Sequence, residues 1–283
     1  MASRYRENIY RCGKYLEIDV FPTFHKGGRK RRRAKYRPTS AMQERLNQRN
    51  AERALTRILN ENFTSDDIEI TLTYKDEYLP DTYAGAKRDA DNFLRKVKRL
   101  RARRGLPEIK YVLVPGGGRY HFHIPMSGGI PRDELEALWG KGYANSRRLK
   151  FDENGIAGLA NYISNQREDD EFLGEDLFSK YDINEETGEL IERDRKRRKG
   201  ERRYTCSRNI KRPEPEIKEG RISKARVEEL ASFDSESKKA FERMYPGYTL
   251  SRCEPYYNDE NGGWYLHIRM YSTEGLYGRG RPN

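Results

Sequence analysis

Histidine, cysteine and tryptophan are scarce in this chain of 283 residues, which holds four, three and two of them. The cysteines, Cys12, Cys206 and Cys253, are isolated and odd in number, which argues against a disulfide framework and against a cysteine-based zinc cluster. Hydrophobic residues make up only 35% of the chain. No apolar run reaches membrane-spanning length and the N-terminus lacks the apolar stretch of a secretory signal, so a cytoplasmic protein without a membrane partner is expected. No internal repeat and no GxxxxGK phosphate loop appear, which excludes a nucleotide-hydrolysing motor within these residues and leaves no small-molecule cofactor to expect. The acidic stretch Asp182-Ile183-Asn184-Glu185-Glu186-Thr187-Gly188-Glu189 lacks the ligand spacing of a calcium loop and reads as a surface hairpin.

Charge is what the chain has in excess. Lys and Arg number 57 against 45 Asp and Glu, a net +12, and the surplus is clustered, as suits a polyphosphate partner. Nucleic acid is therefore the expected ligand. The 20 tyrosines add rings on which unpaired bases could stack, although most rings in any fold serve packing.

Patterning divides the chain into four expected segments. Residues 1–37 read as a basic arm containing Arg29-Lys30-Arg31-Arg32-Arg33-Ala34-Lys35, whose cations would hold phosphates. Residues 38–167 read as the main α+β domain. It begins with a helix capped at Thr39 or Ser40 and running to about Asn60. The alternation of Ile68, Ile70, Leu72 and Tyr74 with Glu69, Thr71 and Thr73 predicts a strand over Asp67–Tyr74. Phe93, Leu94, Val97 and Leu100 have helical spacing within residues 84–104, and Ile109–Val114 is a short apolar strand. Gly116-Gly117-Gly118 then turns the chain into a strand over Arg119–Pro125. A short helix over Pro131–Trp139, a strand over Tyr143–Phe151 and a helix over Ile156–Gln166 follow. Residues 168–203, acidic and then strongly basic, read as a charged flexible insertion. Residues 204–283 read as a small C-terminal α+β region, with helices near Lys224–Ala231 and Glu236–Arg243. The strands Thr249–Tyr257 and Trp264–Tyr271 there form a hairpin, and His267 has no ligand-spaced partner and is expected to pack.

Two of the four histidines stand two residues apart in His121-Phe122-His123. Alternate strand side chains share a face, so both imidazoles would project from one side of a sheet while Phe122 enters the core behind them. Paired imidazoles are candidate ligands for a divalent cation that keeps positions open for an oxygen substrate, given a third ligand. Two polar residues on a solvated sheet face is the plainer alternative.

Thr71-Leu72-Thr73-Tyr74 on one strand, His121-Phe122-His123 on a later strand and Gly158-Leu159-Ala160-Asn161-Tyr162-Ile163 on a helix, in that order, resemble the HUH endonuclease superfamily. The run from Ile68 to Gln166 is similar to rolling-circle replication initiators of phages, plasmids and integrative elements of Gram-positive bacteria. Leu138-Trp139-Gly140-Lys141-Gly142, Ser207-Arg208-Asn209-Ile210-Lys211-Arg212-Pro213 and Tyr245-Pro246-Gly247-Tyr248 extend the likeness over most of the chain.

The resemblance implies an antiparallel sheet with flanking helices and a ferredoxin-like palm. In it, His121 and His123 hold Mg2+ or Mn2+, and Tyr162 attacks a phosphodiester of single-stranded origin DNA. Attack would leave a 5′-phosphotyrosine link and a 3′-OH that primes synthesis, with a host helicase and polymerase as further partners. A phenol, with a pKa of about 10, is a poor nucleophile and needs a polarised target and close positioning. Thr71 and Thr73, Arg119, Lys141 and Arg167, and Arg31, Arg32 and Arg33 of the arm are the candidate DNA contacts. Relatives usually carry a glutamate ligand just before the histidine turn, where this chain has Val114-Pro115-Gly116, so Glu69 or water would have to complete the shell. They also carry a lysine after the tyrosine, whose charge Arg167 or Lys141 would have to replace. A relaxase or transposase of the same superfamily, or a non-catalytic single-strand binder, are the competing readings.

Overall fold

The computed structural model describes residues 4–23, 41–116, 119–165, 181–183, 190–192, 203–232, 234–259 and 262–273. Strands β1 (Arg4–Cys12) and β2 (Tyr15–Thr23) form a hairpin and are followed by helix α1 (Ala41–Asn62). Then come β3 (Ile68–Leu72), α2 (Tyr83–Arg103), β4 (Val112–Pro115) and β5 (Phe122–Met126). The short α3 (Arg132–Ala137), β6 (Ala144–Arg148) and α4 (Ala157–Asn165) complete the region around the histidines. Three-residue strands β7 (Tyr181–Ile183) and β8 (Leu190–Glu192) pair antiparallel as a hairpin, and β9 (Thr205–Cys206) and β10 (Glu216–Glu219) follow. Helices α5 (Lys224–Ala231) and α6 (Ser235–Met244) and the hairpin of β11 (Tyr248–Asn258) and β12 (Gly263–Ser272) end the described chain. Among the described residues no helix is long and apolar enough to cross a membrane.

The expected α+β class with antiparallel sheets and flanking helices is what the chain adopts. The division of the chain, however, differs from four consecutive segments. One compact unit takes Met1–Thr64, Lys150–Ala160 and Lys211–Asn283, and the other takes Ser65–Leu149 and Asn161–Ile210.

The second unit carries the histidines, on a sheet of order β6-β3-β5-β4-β9. Period-two alternation buries Ile70 and Leu72 of β3 and Phe122, Ile124 and Met126 of β5 on one face, against Phe93, Leu94 and Val97 of α2. Thr82 caps α2 by accepting from the amide of Gly85. The Leu138-Trp139-Gly140-Lys141-Gly142 motif works as a clamp on the end of β3. Trp139 packs edge-on against Tyr74 with ring centroids 5.1 Å apart and donates Nε1–H to the Thr73 carbonyl at 2.6 Å. The amides of Thr73 and Lys75 donate to the carbonyls of Tyr143 and Lys141 at 2.8 and 3.0 Å. A side chain at Gly142 would stand 2.3 Å from the Thr73 carbonyl oxygen, so only glycine lets the two chains meet here. Ser207 and Asn209 similarly bind the backbone of residues 108–111.

The first unit holds the sheet β10-β1-β2-β12-β11. Ile9, Leu16, Ile18, Leu266 and Ile268 pack on its one face with Val227 and Leu230 of α5 and Phe241 of α6. The basic arm expected over residues 1–37 is corrected here for its first part, because residues 4–23 are paired strands. Tyr5, Glu7 and Ile9 alternate with Arg4, Arg6 and Asn8, and the strand period lay beneath the cations. Arg31, Arg32 and Arg33 lie outside the described residues. The Tyr245-Pro246-Gly247-Tyr248 motif closes this core. Tyr245 donates its hydroxyl to buried Glu7 at 2.5 Å, and Arg221 grips the same carboxylate at 2.7 and 2.8 Å.

Candidate active site

The sheet face opposite α2 in the second unit carries Glu69 and Thr71 of β3 and His123 of β5, because each alternates with a core residue. Thr71 pairs with His123 on one side and with Asn145 on the other, while Glu69 pairs with Arg147. His121 immediately precedes β5, and its carbonyl accepts the Gly116 amide at 3.0 Å. The two imidazoles meet edge to face with centroids 5.2 Å apart. Helix α4 brings Tyr162 over the same face, its ring centroid 5.8 Å from that of His123 and the residue 53% exposed. The three residues singled out by sequence thus converge.

Hydrogen bonds set the imidazole tautomers. His121 Nδ1 lies 2.9 Å from the Arg119 carbonyl, and His123 Nδ1 lies 2.8 Å from Glu69 Oε1. A carbonyl and a carboxylate can only accept, so both protons sit on Nδ1 and both lone pairs on Nε2, the arrangement a metal ligand needs. Burial pushes the Glu69 carboxyl upward. The hydrogen bond and charge of His123, the Arg147 charge and the Thr71 hydroxyl outweigh it and hold the group below the usual carboxylate range. At 1% exposure it remains an anion because those partners surround it.

Glu69 is accordingly engaged as the carboxylate behind a ligand. Oε1 takes His123 and Thr71, and Oε2 takes Arg147 Nε at 2.8 Å. Val114 pairs with His123 and shares its face, at the stretch where relatives would supply a glutamate. Two imidazoles with no carboxylate suit Mn2+ better than Mg2+, which prefers an all-oxygen shell and keeps its waters. The residues present therefore fit a divalent ion held by His121 and His123, with oxygen from solvent or substrate filling its other positions.

Gly116 makes room for this. A side chain there would stand 1.9 Å from His121 Nε2, so the ring must leave if a methyl is added. Gly116→Ala is expected to weaken Mn2+ binding by about tenfold or more, as displaced ligand geometry does elsewhere. Calorimetric titration against the parent protein is the check, and an unchanged affinity would show that His121 does not ligate.

The candidate DNA contacts scatter more widely. Thr71 bonds Glu69 within the site, and Thr73 donates to the Tyr143 carbonyl at 3.0 Å. Arg119 is held by Asp76 and the Tyr74 carbonyl. Lys141 pairs with Asp89 of α2 at 3.1 Å and so is drawn to the α2 side of the sheet. Arg167 lies outside the described residues. The cation beside the tyrosine is instead Arg147, whose Cζ lies 5.8 Å from the Tyr162 ring centroid. Sequence reasoning missed it, although alternation in Tyr143-Ala144-Asn145-Ser146-Arg147 places it on an outward face.

In the first unit, Glu17, Asp19 and His267 bring ligand atoms within 4.8 Å of one another. A cation already serves them. Arg57 binds Glu17 and Asp19 and covers the Tyr10 ring at 3.5 Å, and Arg53 also reaches Asp19. The cluster is an ion-pair network, and His267 is packed within it, its Nδ1 2.8 Å from Asp19.

Comparison with known proteins gives one family. Residues 67–167 match the model of the replication-associated protein ORF2 family, a match consistent with a rolling-circle replication initiator. That segment covers β3 through α4 and so contains every residue converging on the site. Neither a curated protein nor a solved structure matches the chain.

Proposed function

We propose that the protein is a rolling-circle replication initiator of the HUH type, nicking and rejoining single-stranded origin DNA in the cytoplasm of its host. The observation that carries this reading is the placement of Tyr162, His121 and His123 over one sheet face. Tyr162 is the nucleophile. Its phenolic oxygen forms a bond to phosphorus, the bond from phosphorus to O3′ breaks, and the phenol's proton is balanced by protonation of the departing oxygen. The products are a 5′-phosphotyrosine link and a 3′-OH, and the reverse attack rejoins the strand without ATP.

A divalent ion on His121 and His123 would polarise the scissile phosphate and stabilise charge on the departing oxygen. The protein's own groups orient and neutralise. Glu69 fixes the His123 ring, Arg119 fixes the His121 ring through its carbonyl, and Arg147 sets a positive charge beside Tyr162 for a non-bridging phosphate oxygen. A helicase and a polymerase of the host would extend the 3′ end.

Val114 at the usual acidic position favours one other reading, a single-strand binder without chemistry. Incubation with labelled origin-like single strands and Mn2+ separates the two. An SDS-resistant adduct supports the nickase, and binding without any adduct overturns it.

A further inference from the structure

We propose that the outward face of edge strand β6 reads the DNA strand beside the scissile phosphate, with Tyr143 stacking one unpaired base and Arg147 holding a neighbouring phosphate. The proposal deepens the nicking reading and rests on it for where the strand lies. Ala144 packs on the core, so its neighbours Tyr143 and Asn145 point to the opposite face, the one that bears Thr71 and His123. Tyr143 is 74% exposed, the most exposed large hydrophobic residue among those described, and Arg147 is 59% exposed. The exposed Asn145 stands between them.

An exposed ring is ordinary on a loop, but this one is held. The Tyr143 carbonyl accepts from both the amide and the hydroxyl of Thr73, and the adjoining Gly142 and Trp139 clamp the same strand end. Little conformational entropy then remains to be lost when a base lands on the ring. Tyr143 and Arg147 lie roughly 13 Å apart along the strand at ~3.3 Å per residue, a span that engages successive nucleotides. Arg147 is already fixed by Glu69 on one side and lies against Tyr162 on the other, so a phosphate on its exposed edge would sit next to the nucleophile. Bases buried in a duplex cannot stack on such a ring, so the ligand class is single-stranded nucleic acid.

The test measures binding alone, in a Tyr162→Phe background, with a set of origin-like oligonucleotides each carrying one abasic nucleotide. Tyr143→Ala should weaken binding of the intact strand about tenfold, and Tyr143→Phe should restore it because stacking needs only the ring. One abasic position should cost the background protein about the same factor and cost Tyr143→Ala nothing. Equal losses at that position in both proteins, or an intact affinity in Tyr143→Ala, would overturn the proposal. Because no adduct is read, a parent protein that binds but never forms one would sink the nicking reading while leaving this result interpretable.

Discussion

Tyr162→Phe is expected to eliminate the SDS-resistant adduct, lowering its yield by roughly three orders of magnitude or more while single-strand binding persists. The substitution removes one oxygen. The ring keeps its contacts with His123 and Arg147, so neither the imidazole pair nor the cation loses its neighbour. Phenylalanine cannot supply the bond to phosphorus, and no geometric change can compensate. The measurement is adduct formation on denaturing gels with labelled strands and Mn2+, paired with filter binding on the same samples. If the adduct survives in Tyr162→Phe and disappears in Tyr143→Phe, the nucleophile is Tyr143 and the role given to α4 is wrong.

The second large effect concerns stability. Arg57 is shared by Glu17, which is 1% exposed, and by Asp19. Arg57→Ala would leave the buried Glu17 carboxylate with the Tyr15 hydroxyl at 3.0 Å and the more distant His267 ring at 3.9 Å, its close charged partner gone. Stranding a buried charge costs about 3–5 kcal/mol, which is a large share of a domain's stability. Urea unfolding of the full chain should show a correspondingly lower midpoint. Arg57→Met combined with Glu17→Met should recover most of it, because apolar replacement of a whole pair removes the stranded charge. A loss below about 1 kcal/mol in the single variant would mean that water reaches Glu17.

Acid should dismantle the same network from the other side. Burial raises the Asp19 carboxyl, but His267 by hydrogen bond and charge, with Arg53 and Arg57, holds it below its ordinary value. Its folded-state pKa is therefore lower than its unfolded one. The stability it contributes is present above about pH 4, the unfolded value, and fades as pH falls through the depressed folded value. Asp19→Asn should flatten that acid limb in urea titrations, and an unchanged limb would assign the acid sensitivity to other carboxylates.

Local pattern carried much of the fold. The helix over residues 84–104 and the strand over Asp67–Tyr74 could be read because their apolar periods are regular, and the structure places them at Tyr83–Arg103 and Ile68–Leu72. The hairpin of residues 4–23 was hidden by Arg4, Arg6 and Arg11, whose charge suggested a solvated tail, although the period of two was present throughout. At the site, the spacing of His121 and His123 fixes their shared face without any tertiary information. What no local pattern reveals is strand order. Glu69 and Arg147 become partners only because β3 lies between β5 and β6, and residues 78 positions apart in sequence then share one hydrogen bond. The valine at the expected acidic position was visible in sequence, but the carboxylate that supports His123 from the neighbouring strand was not.

Pairing between β2 and β12 has a consequence for biosynthesis. Asp19 and His267 are 248 positions apart, yet their strands are hydrogen-bonded neighbours in the middle of a sheet. A nascent chain leaving the ribosome exposes the hairpin of residues 4–23 long before its partner strand exists, so that hairpin must wait unpaired on one edge while the intervening residues are translated. The loop-closure penalty grows only slowly with separation, but the delay invites edge-to-edge association, against which the arginines along β1 act as a safeguard.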